Sequence, residues 1–285
     1  MAAKELGENI ERKLKMKKQL LFAVAVSFLS ISASAQSSFA GFYGQISTGY
    51  EGNQLSKIGG SSKEVPSTGH DVHSSSPSQN FGGAPLMLGV GYYWQAHSSW
   101  LVGIGVDYSA ISQTSPYRQG SVIDAPGSDL IPAGTIMTTD GAKTQLSNRY
   151  NIFVSPAYAI DKEKLLYAKA GYSQVNSKGK RPTTVTVSAN GKTTTIPTTT
   201  AGTYDNTTVG GYLIGIGYRQ IITNGLYGFV EANYMGYNSS KHSYSSNGNS
   251  ASKSGVGFSS SSVTNITASS NLNSYQLLVG VGYAF

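Results

Sequence analysis

The sequence predicts an all-β fold, an eight-stranded antiparallel up-and-down transmembrane β-barrel with four long extracellular loops and three short periplasmic turns. Three observations predict it. Eight segments of about ten residues or more alternate apolar and small or polar positions. The connections between them alternate short and long. Aromatic residues collect at the two ends of the apolar faces, while aliphatic residues fill their middles.

The alternation begins at 41–52 (GFYGQISTGYEG) and recurs at 84–94, 100–112, 147–160, 165–176, 208–220, 226–238 and 273–285. In the last segment Tyr275, Leu277, Val279, Val281, Tyr283 and Phe285 share one side of an extended chain. Ser274, Gln276, Leu278, Gly280, Gly282 and Ala284 share the other. A half-buried sandwich strand and a barrel strand between lipid and a polar lumen both give this pattern.

The connections separate the two. QAHSS, DKEK and IITNG are tight turns, the last with Asn224-Gly225 as a type I′ hairpin signal. The connections near 53–83, 113–146, 177–207 and 239–272 run to about thirty residues and are rich in Ser, Thr, Gly and Asn, a length that a compact soluble domain rarely tolerates. Membrane barrels combine short periplasmic turns with long outer loops. The aromatic ends point the same way: Tyr50, Tyr108, Tyr150, Tyr172, Tyr212, Tyr234 and Tyr275 fall at one level. Phe42, Trp94, Trp100, Tyr158, Tyr218 and Tyr283 fall at the other. Two aromatic girdles suit a bilayer and give a soluble sandwich nothing. Pro156 lies at an outward position of the fourth segment, where a missing N–H predicts a bulge or an early strand end.

The N-terminus carries the only continuous oily run. Lys17 and Lys18, the apolar stretch Leu20 to Leu29 and Ala33-Ser34-Ala35 before Gln36 form a secretory signal peptide over 16–35. The run is too short for a membrane helix, which needs roughly 20 residues. Residues 1–15 precede a second methionine, Met16, and read as a misassigned start or a translated leader; 36–285 is the expected barrel domain.

Residues 1–35 hold six Lys/Arg and three Asp/Glu of the totals of 21 and 14, leaving 15 basic and 11 acidic residues in the exported chain. So mild a net charge, on an exported protein, argues against nucleic acid as a partner. The absence of cysteine excludes disulfides as its source of stability.

The signal peptide, the opening GFYGQISTGY, the eight-strand rhythm and the final LLVGVGYAF resemble the small Gram-negative outer-membrane β-barrel family, which includes OmpX, the OmpA transmembrane domain and the opacity adhesins. The resemblance implies residence in the outer membrane, lipopolysaccharide as a neighbour, and a C-terminal strand ending at Phe285 that the barrel assembly machinery reads as its address. A monomer without a cofactor or metal is expected. Where OmpA continues into a peptidoglycan-binding domain this sequence stops, so wall anchoring is not expected.

Inside an eight-stranded barrel there is room for little beyond side chains. The inward register carries Gln45, Glu51, Asp107, Arg149, Lys169, Arg219, Glu231 and Gln276 among glycines. Charges in so narrow a lumen must pair. Asp107 with Arg149 on adjacent strands, and Lys169 with Glu231 across the lumen, are the expected pairs. Such a network is either a filling that fixes the fold or, as in OmpA-like barrels, a gated path for small ions.

Other motifs are weaker. His70, Asp71 and His73 in GHDVH have metal-ligand chemistry at an unspecific spacing and read as a solvated loop. Some eight-stranded barrels act on lipid A through a His/Ser pair. In KHSYS, with His242, Ser243 and Ser245, Tyr244 stands where that pattern has its serine, so no enzyme is expected. The Gly-x-Gly pairs 103/105, 215/217 and 280/282 lie mid-strand and are not nucleotide loops.

The expected role therefore rests on the loops. RPTTVTVSANGKTTTIPTTT alternates Val185 and Val187 before Asn190-Gly191 and reads as a projecting hairpin, with Lys178, Lys180, Arg181 and Lys192 making it basic. A surface protein serving envelope integrity and adhesion or host contact is the expected function, with a narrow channel and a lipid A-modifying enzyme as alternatives.

Overall fold

A computed structural model of the chain describes residues 37–65, 71–116, 118–120, 123–124, 136–180, 184–189, 192–197, 207–246, 251–253, 256–258 and 263–285. The leader, the signal peptide, His70, Arg181 and the Asn190-Gly191 tip lie outside these residues. Eight long strands form the wall: β1 (Gly41–Val65), β2 (Leu86–Gln95), β3 (Trp100–Ser109), β4 (Ile136–Ala159), β5 (Lys164–Lys180), β6 (Thr207–Thr223), β7 (Leu226–Tyr237) and β8 (Val263–Ala284). Each pairs antiparallel with the next. β8 then pairs with β1 from Tyr43↔Ala284 upward, so the ring closes and no unpaired edge faces lipid at that level. The Phe285 N–H adds a last bond to the Phe42 carbonyl at 2.9 Å.

The sequence builds this wall by strict alternation. Along β3, Val102, Ile104 and Val106 face outward and Leu101, Gly103, Gly105 and Asp107 face inward. The outward aliphatic residues of all eight strands form an exposed belt, from Leu88 and Val90 round to Leu277 and Val279, that only lipid would cover. Aromatic rings border it on both sides. On the turn side Phe42 packs on Tyr92 at 4.8 Å, Trp100 on Tyr158 at 5.1 Å and Tyr283 on Phe285 at 5.0 Å between ring centres. On the other side Tyr50 meets Tyr275 at 6.0 Å and Tyr212 meets Tyr234 at 6.1 Å. The turns are tight, and Asn224 and Gly225 both take positive φ, 40° and 83°, as a type I′ turn requires.

Three features differ from the sequence expectation. First, the long connections are largely strand. The β1–β8 ladder continues past the outer girdle to Val65↔Val263. The expected third-loop hairpin exists as Thr184–Ala189 paired with Lys192–Pro197, and it also pairs with β4 at Ile136–Asp140. The Ser-, Thr- and Gly-rich sequence there carries no period-two hydrophobicity, and backbone pairing needs none.

Second, Pro156 produces neither a bulge nor a strand end. β4 runs through it to Ala159, in unchanged register with β5 on either side. The Ala168 carbonyl, which lies opposite a residue with no N–H, accepts from the Ser155 hydroxyl at 2.8 Å instead.

Third, a bulge sits at Asn148, with φ 49°, where the register slips from Gln174↔Tyr150 to Asn176↔Ser147. Below it odd-numbered β4 residues such as Arg149 and Asn151 point inward; above it Ala142, Thr144 and Leu146 do. The extra residue re-phases the strand without turning its oily side outward.

Candidate functional site: the lumen

The inward side chains stack in three levels. Near the outer end, the Arg149 guanidinium pairs with the Glu51 carboxylate. It also donates to Asn53 Oδ1 at 3.0 Å, Ser274 Oγ at 2.9 Å and the Tyr237 hydroxyl at 2.9 Å. Tyr237 continues to Ser173 Oγ at 2.8 Å. Gln276 Nε2 donates at 2.7 Å to Glu51 Oε2, the same oxygen that Arg149 meets. Arg149 points inward with the odd-numbered residues below the Asn148 bulge.

At mid-height, Lys169 Nζ lies 2.9 Å from Asp107 Oδ2 and 2.7 Å from Glu231 Oε2, so one ammonium holds two carboxylates. Tyr167 donates its hydroxyl proton to Glu231 at 2.7 Å, and Asn233 Nδ2 donates to the same carboxylate at 2.7 Å. Asn233 also reaches Gln276 Oε1 at 3.3 Å, which links this level to the one above.

At the inner level Arg219 is 1% exposed and, among the described residues, has no carboxylate partner. Four tyrosines enclose it instead, Tyr43, Tyr93, Tyr167 and Tyr227, whose ring centres lie 4.1, 5.3, 4.8 and 4.9 Å from its Cζ. It donates one hydrogen bond, to Gln45 Oε1 at 2.9 Å, and its Nε–H has no acceptor. Cation–π attraction of this desolvated kind takes the place of an ion pair.

Glycines make room for these rings. A methyl group at Gly105 would fall 2.6 Å from the Phe153 ring and 2.6 Å from the Tyr43 hydroxyl, and Gly217 and Gly282 seat Tyr167 and Tyr227 in the same way. Five of the six glycines in the Gly-x-Gly pairs are thus sockets for aromatic side chains, and the sixth, Gly215, makes room for Asn233.

All six charged residues singled out from the sequence, Glu51, Asp107, Arg149, Lys169, Arg219 and Glu231, are buried in this column. Lys169 meets Glu231 as the pattern suggested. Asp107 does not meet Arg149: it turns to Lys169, and Arg149 turns across the lumen to Glu51. Long flexible cations choose partners across a narrow lumen as readily as along the wall, and adjacency in the ladder does not decide. Sequence reasoning missed the tyrosine cage, although Tyr43, Tyr93, Tyr167 and Tyr227 share the inward parity of the glycines; that parity was the available signal. Two apolar clusters complete the filling, one around Tyr93, Leu101 and Phe229 at the inner end and one around Phe153, Leu213 and Met235 at the outer.

The remaining candidates lie outside the lumen. Lys178 and Lys180 are exposed at the outer end of β5, with Lys180 opposite Lys143 on β4. Asp71 and His73 lie on the strand Asp71–Ser76, and His242, Ser243 and Ser245 on Ser240–Ser246, which pairs with β8. Among the described residues no group of three or more His, Asp or Glu is placed to hold a metal ion.

A closed antiparallel ring, an oily belt between two aromatic girdles and a charge-balanced interior decide the class. The chain is a small membrane-spanning β-barrel of the outer-membrane type. No protein-family model and no curated protein sequence matches it. Among solved structures this barrel is similar to Ail, the attachment invasion locus protein of Yersinia pestis, at 12% identity over 86% of this chain and 99% of that one, TM-score 0.36. It is also similar to the outer membrane protein OprG of Pseudomonas aeruginosa, at 12% identity over 86% and 96%, TM-score 0.41. The outer membrane protease OmpT of Escherichia coli is a third, at 9% identity over 90% and 99%, TM-score 0.43. At such identities and scores none of the three passes a role to this barrel.

Proposed function

We propose that this barrel is a monomeric surface protein of the Gram-negative outer membrane, exported by a signal peptide cleaved between Ala35 and Gln36 and serving envelope integrity and adhesion through its outer hairpins. The barrel assembly machinery would read the last strand, with Phe285 fully displayed beside Tyr283. One observation carries the reading: side chains fill the lumen, while the wall continues outward. From Gly52↔Tyr275 to Val65↔Val263 the β1–β8 ladder extends for about 40 Å of strand beyond the outer girdle. A paired and therefore rigid scaffold there has no use inside the membrane, and its Ser, Thr, Asn and Lys side chains suit contact with polar surfaces.

The test replaces Thr184–Pro197 by a short Gly-Ser turn and measures attachment of expressing cells to immobilised glycans and to host cells. Lost attachment, with the heat-modifiable barrel band unchanged on gels, is the expected result. Unchanged attachment would refute the role of this hairpin. The reading has a closed lumen and no enzymatic activity. Stable unit conductance of the purified barrel in planar bilayers would contradict the first. A difference in lipid A mass between expressing cells and cells carrying His242→Ala would contradict the second.

A further inference from the structure

Just before β1 the chain turns across the inner mouth of the barrel. The Ala40 N–H bonds the Ser37 carbonyl at 2.9 Å, and this turn drives Phe39 upward until only 2% of it is exposed. Its ring meets Tyr227 edge to face, 6.5 Å between centres, within the inner apolar cluster. One latch holds the turn: the Ser37 N–H donates to Gln95 Oε1 at 3.0 Å, and Gln95 Nε2 is itself fixed by the carbonyls of His97 at 2.7 Å and Ser98 at 2.9 Å in the first periplasmic turn. On the far side of Tyr227 lies Arg219, 4.9 Å from the ring centre, with its Nε–H unmatched.

We propose that Ser37–Ala40 is a removable stopper, and that the space it closes is an anion-accessible vestibule ending at Arg219. The segment is outside the closed ladder, so it can leave without breaking a rung of the ring. It is held by Phe39 in an apolar seat, by the small Ala40 packed beside it and by one hydrogen-bond latch, which places it among the elements that open locally well before the whole fold does. Once it leaves, Tyr227 and the rest of the inner apolar cluster stand between the periplasmic solution and a guanidinium that, among the described residues, makes no direct ion pair. A small inorganic anion is the ligand such a pocket would take. This device is independent of the outer hairpins.

The test is the rate at which phenylglyoxal modifies Arg219 in the refolded full chain, read by peptide mass, with the ion-paired Arg149 as internal reference. Phe39→Ala vacates a phenyl-sized space and should accelerate modification of Arg219 by about ten- to a hundred-fold, the factor set by the lost burial of one aromatic side chain. Arg149 should stay unchanged, and inorganic phosphate should slow the reaction at Arg219 in the variant. Equal rates at Arg219 in the two proteins, equal acceleration at both arginines, or no effect of phosphate would each overturn the proposal. Gln95→Ala, which keeps Phe39 and removes only the latch, supplies a milder variant should Phe39→Ala fail to refold; it too must accelerate Arg219 selectively.

Discussion

Arg149 near the outer end of the lumen and Arg219 near the inner end are both buried, in one barrel, and are held by different chemistry. Arg149 has the Glu51 carboxylate and three neutral acceptors, Asn53, Ser274 and Tyr237. Arg219 has four tyrosine rings and one glutamine oxygen. The inward positions explain the difference. Toward the outer end they present Glu, Asn, Ser and Gln, and toward the inner end they pair Tyr with Gly, leaving rings and the Gln45 oxygen as the electron-rich surface that meets Arg219. The lesson is one of asymmetry on removal. Deleting the partner of an ion-paired arginine strands a buried charge at contact distance, whereas deleting a caged arginine breaks no direct ion pair and leaves Gln45 Oε1 its bond from the Tyr227 hydroxyl.

The mid-height level should break first. Lys169→Met leaves Asp107 and Glu231 facing each other without their shared cation, and should lower the unfolding free energy by at least the ~3–5 kcal/mol typical of a broken buried pair. Urea unfolding in lipid vesicles, followed by fluorescence of Trp94 and Trp100, the chain's two tryptophans, reads it. An effect below that range would mean that the two carboxylates already share a proton. Next, Glu51→Gln should cost about 3 kcal/mol, because the amide keeps the size but abandons the Arg149 charge.

Arg219→Met should cost only about 2 kcal/mol, the worth of a desolvated cation–π contact. Ser155→Ala sharpens the comparison from the wall: it orphans the Ala168 carbonyl opposite Pro156 and should cost about 1–2 kcal/mol. A silent substitution would show that this carbonyl finds another donor.

The smallest effect is predicted outside the membrane. In the turn before β5, the Glu163 backbone N–H donates to Asp161 at 2.8 Å and Lys164 pairs with it at 3.0 Å. The backbone bond first, and the lysine second, hold the Asp161 carboxyl below its ordinary value. A lowered folded-state value means that this turn is favoured above the unfolded value and loses that support as pH falls through the folded one. Carboxyl NMR should place the midpoint below the usual value of about 3.9, and a normal midpoint would show that the turn's bonds do not persist in solution.

Much of this was legible in advance because lipid imposes period-two patterning more strictly than water does. The outward faces of β2, β3, β7 and β8 could be read residue by residue, and the Asn224-Gly225 turn with them. The outer extensions were not legible, since their Ser-, Thr- and Gly-rich sequence carries no hydrophobic period. Parity above Asn148 was hidden by a bulge whose only sequence mark is an asparagine able to adopt positive φ. In the lumen, residue types told which groups must pair but not with whom, as Asp107 turning to Lys169 shows. The stopper left no pattern at all, because Phe39 acts alone.

The most direct test of a lumen that is a charge-balanced core is the difference in vesicle unfolding free energy between Glu51→Gln and Arg219→Met. A larger loss for Glu51→Gln, by about 1 kcal/mol or more, is what ion pairing at one end and an aromatic cage at the other predict. Equal losses, or a larger loss for Arg219→Met, would contradict the account and mean that the inner guanidinium has a partner stronger than tyrosine rings.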